Sequence, residues 1–150
     1  MTSERTDSIS FLFIKAAKAY RNLIQNELSK IGLYAGQEVL LFQLWETEGL
    51  SQSELADRLD VEPAAISKML NRMESAGLVE RRTDPTDSRV SQVFLTDDGR
   101  SLQEPVEDIW DHAETQLLEG LSTEEKLLFR RMLVDIRDNL SESNQSTRQE

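Results

Sequence analysis

Residues 51–77 read SQSELADRLDVEPAAISKMLNRMESAG, and this stretch predicts two helices joined by a short turn. Ser51 and Glu54 form a capping box, a pattern that begins helices. Pro63 suits the first turn of the second helix, where its missing N–H costs nothing, and Gly77 suits the left-handed position after that helix ends. Two short amphipathic helices in this arrangement are typical of a helix-turn-helix unit.

Residues 78–99, LVERRTDPTDSRVSQVFLTDDG, follow directly and predict a β-hairpin. Two runs rich in β-branched and apolar residues, 78–83 and 90–95, flank the segment 84–88, whose Asp, Pro and Ser residues favour a turn. A helix-turn-helix unit followed by such a hairpin forms a winged helix.

Two helices are predicted before the helix-turn-helix unit. Apolar residues recur at helical spacing over residues 9–31, and Gly32 is expected to end that helix. A second helix is expected over about residues 35–47, with Gly49 closing it. The winged helix is therefore preceded by a long amphipathic helix and a shorter apolar one.

Two further helices are predicted after the hairpin. Thr96 is expected to cap the first, which should kink at Pro105 because proline removes a backbone hydrogen bond. Ser122 and Glu125 form a capping box that begins the last helix, which runs to about Leu140. The helices at both ends of the chain carry more apolar surface than a small core needs, so they are expected to bury it against a second copy.

The predicted fold class is mostly α with a small β component. It is a winged helix-turn-helix domain whose N- and C-terminal helices form a dimerisation domain. The expected domains are a dimerisation helix over 1–34, the winged helix over 35–96, dimerisation helices over 97–141 and a polar, frayed tail over 142–150.

Composition excludes several classes of function. The chain has no cysteine, which excludes disulfides and thiol-based redox sensing, and its single histidine, His112, is expected on the surface rather than in a zinc site. No apolar run is long enough to cross a bilayer and no signal peptide is recognisable, so a cytoplasmic protein without membrane contact is expected. Because phosphate loops, nucleophile motifs and metal-ligand clusters are absent from the sequence, neither an enzyme nor a cofactor is expected.

The second helix of a helix-turn-helix unit enters the DNA major groove, so its outward residues are candidates for contacting bases. Apolar residues occupy one face of the helix, and the residues that this pattern leaves outward are Ala64, Ala65, Ser67, Lys68, Asn71 and Arg72. The small residues let the helix sit deep in a groove about 12 Å wide. Gln52 and Ser53, at the start of the first helix, suit a phosphate held by backbone N–H groups.

The net charge of −11 at first opposes binding to DNA. Most of the acid lies in residues 97–150, which carry six basic and fourteen acidic side chains, whereas residues 64–95 carry five basic and four acidic ones. Because DNA responds to the local potential of the docking face, the charge weakens the DNA hypothesis without removing it. Glu62 and Asp84 would repel phosphate, which predicts a modest, strongly salt-dependent affinity. A winged helix used for protein–protein contact, without DNA binding, is the alternative.

The hairpin and the residues after it resemble the MarR family of bacterial regulators. Asp87 and Arg89 match that family's Asp-x-Arg, and an apolar strand, Leu95-Thr96 and Gly99 follow in the family's order. The segment 77–81, GLVER, also resembles the family's helix-to-wing junction. The resemblance implies that Arg89 reaches into the minor groove while Asp87 braces its guanidinium, and a narrow minor groove does favour an inserted arginine.

The resemblance further implies a homodimer on a pseudo-palindromic operator, with half-sites about 34 Å apart. It implies a repressor that a small aromatic acid releases from double-stranded DNA. Two cations and two rings would suit such a ligand, and the candidates are Lys18, Arg21, Tyr34 and Trp110. The same residues also fit an alternative without a ligand, in which Trp110 belongs to the core and the two cations are ordinary exposed helix residues.

Overall fold

A computed structural model describes residues 3–147, with side chains over 5–143. Eight helices and three strands occur in this part of the chain. In chain order they are α1 (Ser3–Thr6), α2 (Ile9–Ser29), α3 (Gln37–Glu46), β1 (Leu50–Ser51), α4 (Gln52–Leu59), α5 (Pro63–Ser75), β2 (Val79–Thr83), β3 (Ser91–Leu95), α6 (Asp97–Ser101), α7 (Gln103–Leu117) and α8 (Thr123–Thr147). The predicted order of a mostly helical winged helix is confirmed.

The predicted helix boundaries around the helix-turn-helix unit are confirmed. The hydroxyl of Ser51 accepts a hydrogen bond of 3.1 Å from the backbone N–H of Glu54, which caps α4. Pro63 lies in the first turn of α5, and Gly77, with φ of +75°, follows its end. Asp60 and Val61 were predicted to form the short turn between these helices, and Asp60 turns the chain towards α5 by taking the left-handed conformation at the end of α4.

The hairpin belongs to a three-stranded antiparallel sheet in the order β1-β3-β2. β2 pairs with β3 from Val79 opposite Leu95 to Thr83 opposite Ser91. β1 was not predicted, because two residues are too short to show a strand pattern and they become a strand only by pairing with β3.

Gly99 packs against the junction between α5 and β2, which explains its place after the wing. The Thr96 hydroxyl caps α6 by accepting from the N–H of Gly99 and donates to the backbone oxygen of Gly77 at 2.6 Å. The backbone N–H of Thr96 donates to the oxygen of Leu78 at 3.1 Å. A Cβ on residue 99 would overlap that same oxygen, so the close approach of α6 to the junction requires glycine.

The helix predicted from Thr96 onward is two helices. The regular helix is interrupted at Leu102, whose backbone stays in the right-handed helical region, and Pro105 then lies in the first turn of α7. The predicted kink at Pro105 is therefore a break three residues earlier. Proline has no backbone N–H and so cannot donate the hydrogen bond to the residue four positions earlier. Because the first N–H groups of any helix lack a partner within the helix, a new helix that begins at Gln103 loses no hydrogen bond at Pro105.

The last helix begins as predicted and ends later. Ser122 and Glu125 exchange both hydrogen bonds of a capping box, at 3.0 and 3.1 Å. α8 then continues to Thr147, through the stretch from 142 that was expected to be a frayed tail. The hydroxyls of Ser141 and Ser143 bond backbone oxygens four residues earlier, which lets these polar residues remain helical. The final predicted tail residues, 148–150, lie outside the described residues.

The chain divides into two compact units between Ala113 and Glu114, within α7. The first unit holds the core, to which the inner faces of α2 to α5, the sheet and α7 contribute. Its largest fully buried side chains include Leu28, Leu40, Leu44, Leu55, Ile66, Leu70 and Val93. The second unit consists of the end of α7 and α8, where several large apolar side chains are exposed. Among the described helices none is both long and apolar enough to span a membrane.

Candidate nucleic-acid interface

The outward face of α5 is placed as the sequence predicts. Ile66, Leu70 and Met73 are fully buried beneath the helix. Most of the predicted base-contacting residues are exposed and one, Ser67, is half-buried; the exposed ones are Ala64, Ala65, Lys68, Asn71 and Arg72. The helix therefore presents two small residues near its start, followed by polar and basic side chains one and two turns later.

The N-terminal end of α4, where a phosphate was predicted, already has side chains of the chain itself beside its N–H groups. Ser53 is exposed, whereas Gln52 is half-buried. The hydroxyl of Ser51 lies 3.3 Å from a carboxylate oxygen of Glu54, so a negative charge already lies beside the N–H groups at this helix end. A phosphate bound here would meet that carboxylate, so the backbone N–H groups are a weaker phosphate site than the sequence suggests.

Arg81, on β2, joins α4, α5 and the wing, a role that no local pattern in the sequence indicates. Its Nε donates to Glu74 at 2.9 Å and its Nη1 donates to the side-chain oxygen of Gln52 at 3.2 Å. Its Nη2 donates to the side-chain oxygen of Asn71. One guanidinium therefore holds the side chain of Asn71, which was predicted to contact bases, and that of Gln52, whose backbone N–H was predicted to hold a phosphate. We call α4, α5, β2, β3 and residues 84–90, which join the two strands and include Arg89, the reading head.

The tip of the wing holds Arg89 as the resemblance implies. Its Nε and Nη2 donate to the two carboxylate oxygens of Asp87 at 3.1 and 3.2 Å, and its backbone N–H donates to the same group at 3.0 Å. These bonds lower the pKa of Asp87 below its ordinary value, so the carboxylate is charged at neutral pH. The side chain of Arg89 is 87% exposed and thus available to an external partner.

Asp84 has a local role that the sequence did not reveal. Its carboxylate accepts from the N–H and hydroxyl of Thr86, at 2.7 and 2.6 Å, and from the N–H of Asp87 at 3.2 Å. The hydrogen bonds from Thr86 are the main cause of its lowered pKa. Asp84 therefore fixes the turn that carries Arg89, in the manner of an Asx turn. The repulsive charge expected from the sequence is present, and it is engaged in shaping the wing.

The four predicted effector residues lie in different surroundings in the structure. Tyr34 is exposed and borders a cleft of about 670 Å³ beside the second half of α5, together with Gly32, Gln37, Asn71, Arg72, Ser75 and Ala76. Trp110 is partly buried, and its ring meets Phe42 edge to face at 4.9 Å, which is the core position of the alternative reading. Its indole Nε1 is buried with no acceptor among the described residues. Lys18 and Arg21 are exposed on α2.

Glu38 is a buried carboxyl group that the sequence analysis did not single out. One oxygen accepts from the backbone N–H of Gly36 at 2.7 Å, and the other has no hydrogen-bond partner among the described residues. Its side chain is fully buried, and this burial raises the pKa of the carboxyl group, although nearby Arg21 acts in the opposite direction. Neither the spacing of apolar residues along this helix nor the acidic side chain itself indicates that residue 38 faces inward.

The raised pKa of Glu38 predicts a pH dependence of stability. The folded protein holds the Glu38 proton more tightly than the unfolded chain, so this contribution to stability is complete below the ordinary pKa of 4.5 and is lost as the pH rises through the folded-state value. Glu38→Gln stays neutral throughout. The wild type should therefore lose free energy of unfolding relative to Glu38→Gln as the pH rises above 4.5 in urea titrations.

Exposed Glu46, on the same helix, provides the matched control for this pH dependence. The stability difference between the wild type and Glu46→Gln should change less over the same pH range. A Glu38→Gln curve that runs parallel to the wild type would show that burial leaves this carboxyl group unperturbed.

His112 is exposed, as expected, and its Nδ1 lies 2.7 Å from the backbone oxygen of Asp108 on the same helix. Across the described residues, no group of three or more His, Cys, Asp or Glu side chains is arranged to hold a metal ion.

A sequence model of the MarR family matches residues 33–91. The chain is 32% identical over 132 residues to the HTH-type transcriptional regulator TtmR of Methylorubrum extorquens, covering 88% of this chain and 67% of TtmR. It is 30% identical over 125 residues to the HTH-type transcriptional repressor Rv2887 of Mycobacterium tuberculosis, covering 83% of this chain and 90% of Rv2887.

The fold is similar to that of solved MarR structures. A crystal structure of a MarR mutant from E. coli complexed with operator DNA superposes with a TM-score of 0.79 at 25% identity, covering 85% of this chain and 92% of that one. The similarity thus extends over the helices on both sides of the winged helix as well as the reading head. The chain belongs to the MarR family of transcriptional regulators, which are DNA-binding proteins without enzymatic activity.

Proposed function

We propose that this regulator binds double-stranded operator DNA sequence-specifically as a homodimer and represses transcription until a small aromatic acid releases it. The observation that carries the proposal is Arg89, which is 87% exposed at the wing tip and held by both oxygens of Asp87. A side chain held in this way loses little conformational entropy on entering a narrow minor groove, where the negative potential is concentrated.

The outward face of α5 supports a second contact, in the major groove. Ala64 and Ala65 leave room for close approach, and Lys68 and Arg72 then lie one and two turns along the exposed face. The reading head would thus contact two adjacent grooves of one half-site. The operator complex among the solved relatives supports this use of the fold.

Exposed apolar residues on the terminal helices support the homodimer. On α2, Ile9, Leu12 and Phe13 are 86%, 57% and 46% exposed. On α8, a stripe of residues spaced four apart is also exposed, namely Leu128, Met132, Ile136 and Leu140. Faces of this kind are costly to leave in water, and a second copy would cover them.

The cleft beside Tyr34 supports release by an aromatic acid. Tyr34 offers a ring, and Arg72 offers a cation for a carboxylate. Asn71 and Arg72 line this cleft and also belong to the outward face of α5, so a ligand here would occupy groups that DNA needs. Lys18, Arg21 and Trp110 do not border this cleft, and their part in effector binding stays a prediction.

Fluorescence anisotropy with fragments of the regulator's own promoter region tests the proposal. The wild type should bind one fragment more tightly than a scrambled duplex, with an affinity that falls steeply as salt rises, because each neutralised phosphate releases a counterion. An aromatic acid such as salicylate should weaken that binding. If no duplex binds at any salt concentration, the alternative of a protein-contact module is correct.

A further inference from the structure

Arg81 contacts the side-chain oxygen of Asn71, on the face of α5 that the proposed function assigns to DNA, and the side-chain oxygen of Gln52 at the start of α4. We infer that Arg81 sets the base preference of the reading head, because it holds the amide of Asn71 with its oxygen towards the guanidinium and its NH2 group on the opposite side. The inference rests on the proposed function, since it concerns which bases the proposed DNA contacts select.

The guanidinium dictates how the two amide groups are oriented. Arginine carries five N–H donors and no acceptor, so an amide can face it only through its oxygen. Arg81 meets the oxygen of Gln52 at 3.2 Å and that of Asn71 through its other terminal nitrogen. Turning either amide over would bring an NH2 group against N–H groups, so each amide keeps its NH2 group on the side away from Arg81.

The surroundings of Arg81 hold the guanidinium in place. Its side chain is 24% exposed, and its Nε bonds the carboxylate of Glu74, which lies one turn after Asn71 on α5. The nearby carboxylate also balances the positive charge. Arg81 therefore acts as a positioning residue that fixes Asn71 and Gln52, rather than as a free cation for phosphate.

An asparagine whose oxygen is held by arginine selects a different base from a free one. A free asparagine pairs with adenine through two bonds, accepting from N6 and donating to N7. The bond from Arg81 occupies one lone pair of the Asn71 oxygen and turns that oxygen towards the guanidinium, so Asn71 is not free to align both its oxygen and its NH2 group with one base. It presents the NH2 group first, which suits the two acceptors of guanine or the O4 of thymine. Adenine then leaves its N6 donor without an acceptor from Asn71, and cytosine offers that side chain only a donor.

Selection of binding sites from a randomised duplex library measures this preference at each base position. The wild type and Asn71→Ala are compared first, and the position whose preference changes is the one that Asn71 contacts. The wild type should prefer guanine or thymine there. Arg81→Lys keeps the charge and loses the planar fork, so Asn71 can rotate, and any preference for guanine over adenine should fall from about tenfold to below about threefold.

Arg82→Lys is the matched control, because Arg82 is the next residue on β2, with its guanidinium bonded to Glu80 and lying 4.1 Å from the ring centre of Phe94. It should keep the wild-type preference. The inference is overturned if the wild type prefers adenine at the Asn71 position, if Asn71→Ala changes no position, or if Arg81→Lys keeps the wild-type ratio. Failure of every protein, the wild type included, to select any sequence overturns the proposed function and this inference with it.

Discussion

Arg89→Ala should weaken operator binding by about 30- to 1,000-fold. An arginine that contacts DNA specifically contributes about 1–3 kcal/mol, and a homodimer loses the contact in both half-sites. Two losses at the lower part of that range correspond to the stated factor. Titrating the selected operator fragment with wild type and variant at one fixed salt concentration, followed by anisotropy, measures the change.

The matched control is Arg131→Ala, which removes the same charge from α8, where Arg131 lies 3.8 Å from Asp135 and is 69% exposed. Its affinity should stay within about twofold of the wild type, because the proposal assigns no DNA contact to α8. Equal losses in Arg89→Ala and Arg131→Ala would mean that only total charge matters and that the wing makes no specific contact.

Asp87→Asn separates two roles of the Asp87 carboxylate. If its charge merely repels phosphate, the variant should bind DNA more tightly than the wild type. If its two bonds hold Arg89 ready, as the distances of 3.1 and 3.2 Å indicate, the variant should bind about threefold to tenfold more weakly, because Arg89 must then be ordered during binding. The same anisotropy assay decides between these outcomes.

The parts of the fold that can be predicted from the sequence are those determined by residues close together in the chain. The capping boxes at Ser51 and Ser122, the proline that begins α5 and the glycine that follows it are all signals within a few residues of the boundary they mark. Hydrogen bonds of this kind form between residues three or four apart, so a sequence displays them directly. The outward face of α5 was predictable for the same reason, since helical spacing alone separates its two faces.

The parts that were missed depend on residues far apart in the chain. Arg81 meets Gln52 across 29 positions, and β1 becomes a strand only through β3. Glu38 is buried by the packing of other elements, and nothing near it in the sequence indicates this. Trp110 likewise packs against Phe42 of α3, a contact that the sequence around either residue does not indicate. Such contacts follow from tertiary packing, which overrides the local pattern.

Ile136→Asp should separate the homodimer and cost the regulator about 100- to 10,000-fold in operator affinity. Ile136 is 39% exposed in the middle of the apolar stripe on α8, and a two-fold interface would contain the substitution twice. Burying an unpaired carboxylate costs several kcal/mol, so the interface should open. A lone subunit then binds one half-site without the effective concentration that linkage provides. Analytical ultracentrifugation gives the mass and anisotropy gives the affinity.

Ser141→Asp tests whether position, rather than added charge, separates the subunits. Helical geometry places residue 141 about 140° around α8 from Ile136, and its hydroxyl bonds only a backbone oxygen of its own helix in the described contacts. This variant should remain a dimer and bind the operator like the wild type. Circular dichroism should show that both variants stay helical, because Ile136 already borders water. If the Ile136→Asp protein is a dimer with wild-type affinity, the interface lies elsewhere. If it is a monomer that binds the operator as tightly as the wild type, dimerisation contributes nothing to operator binding.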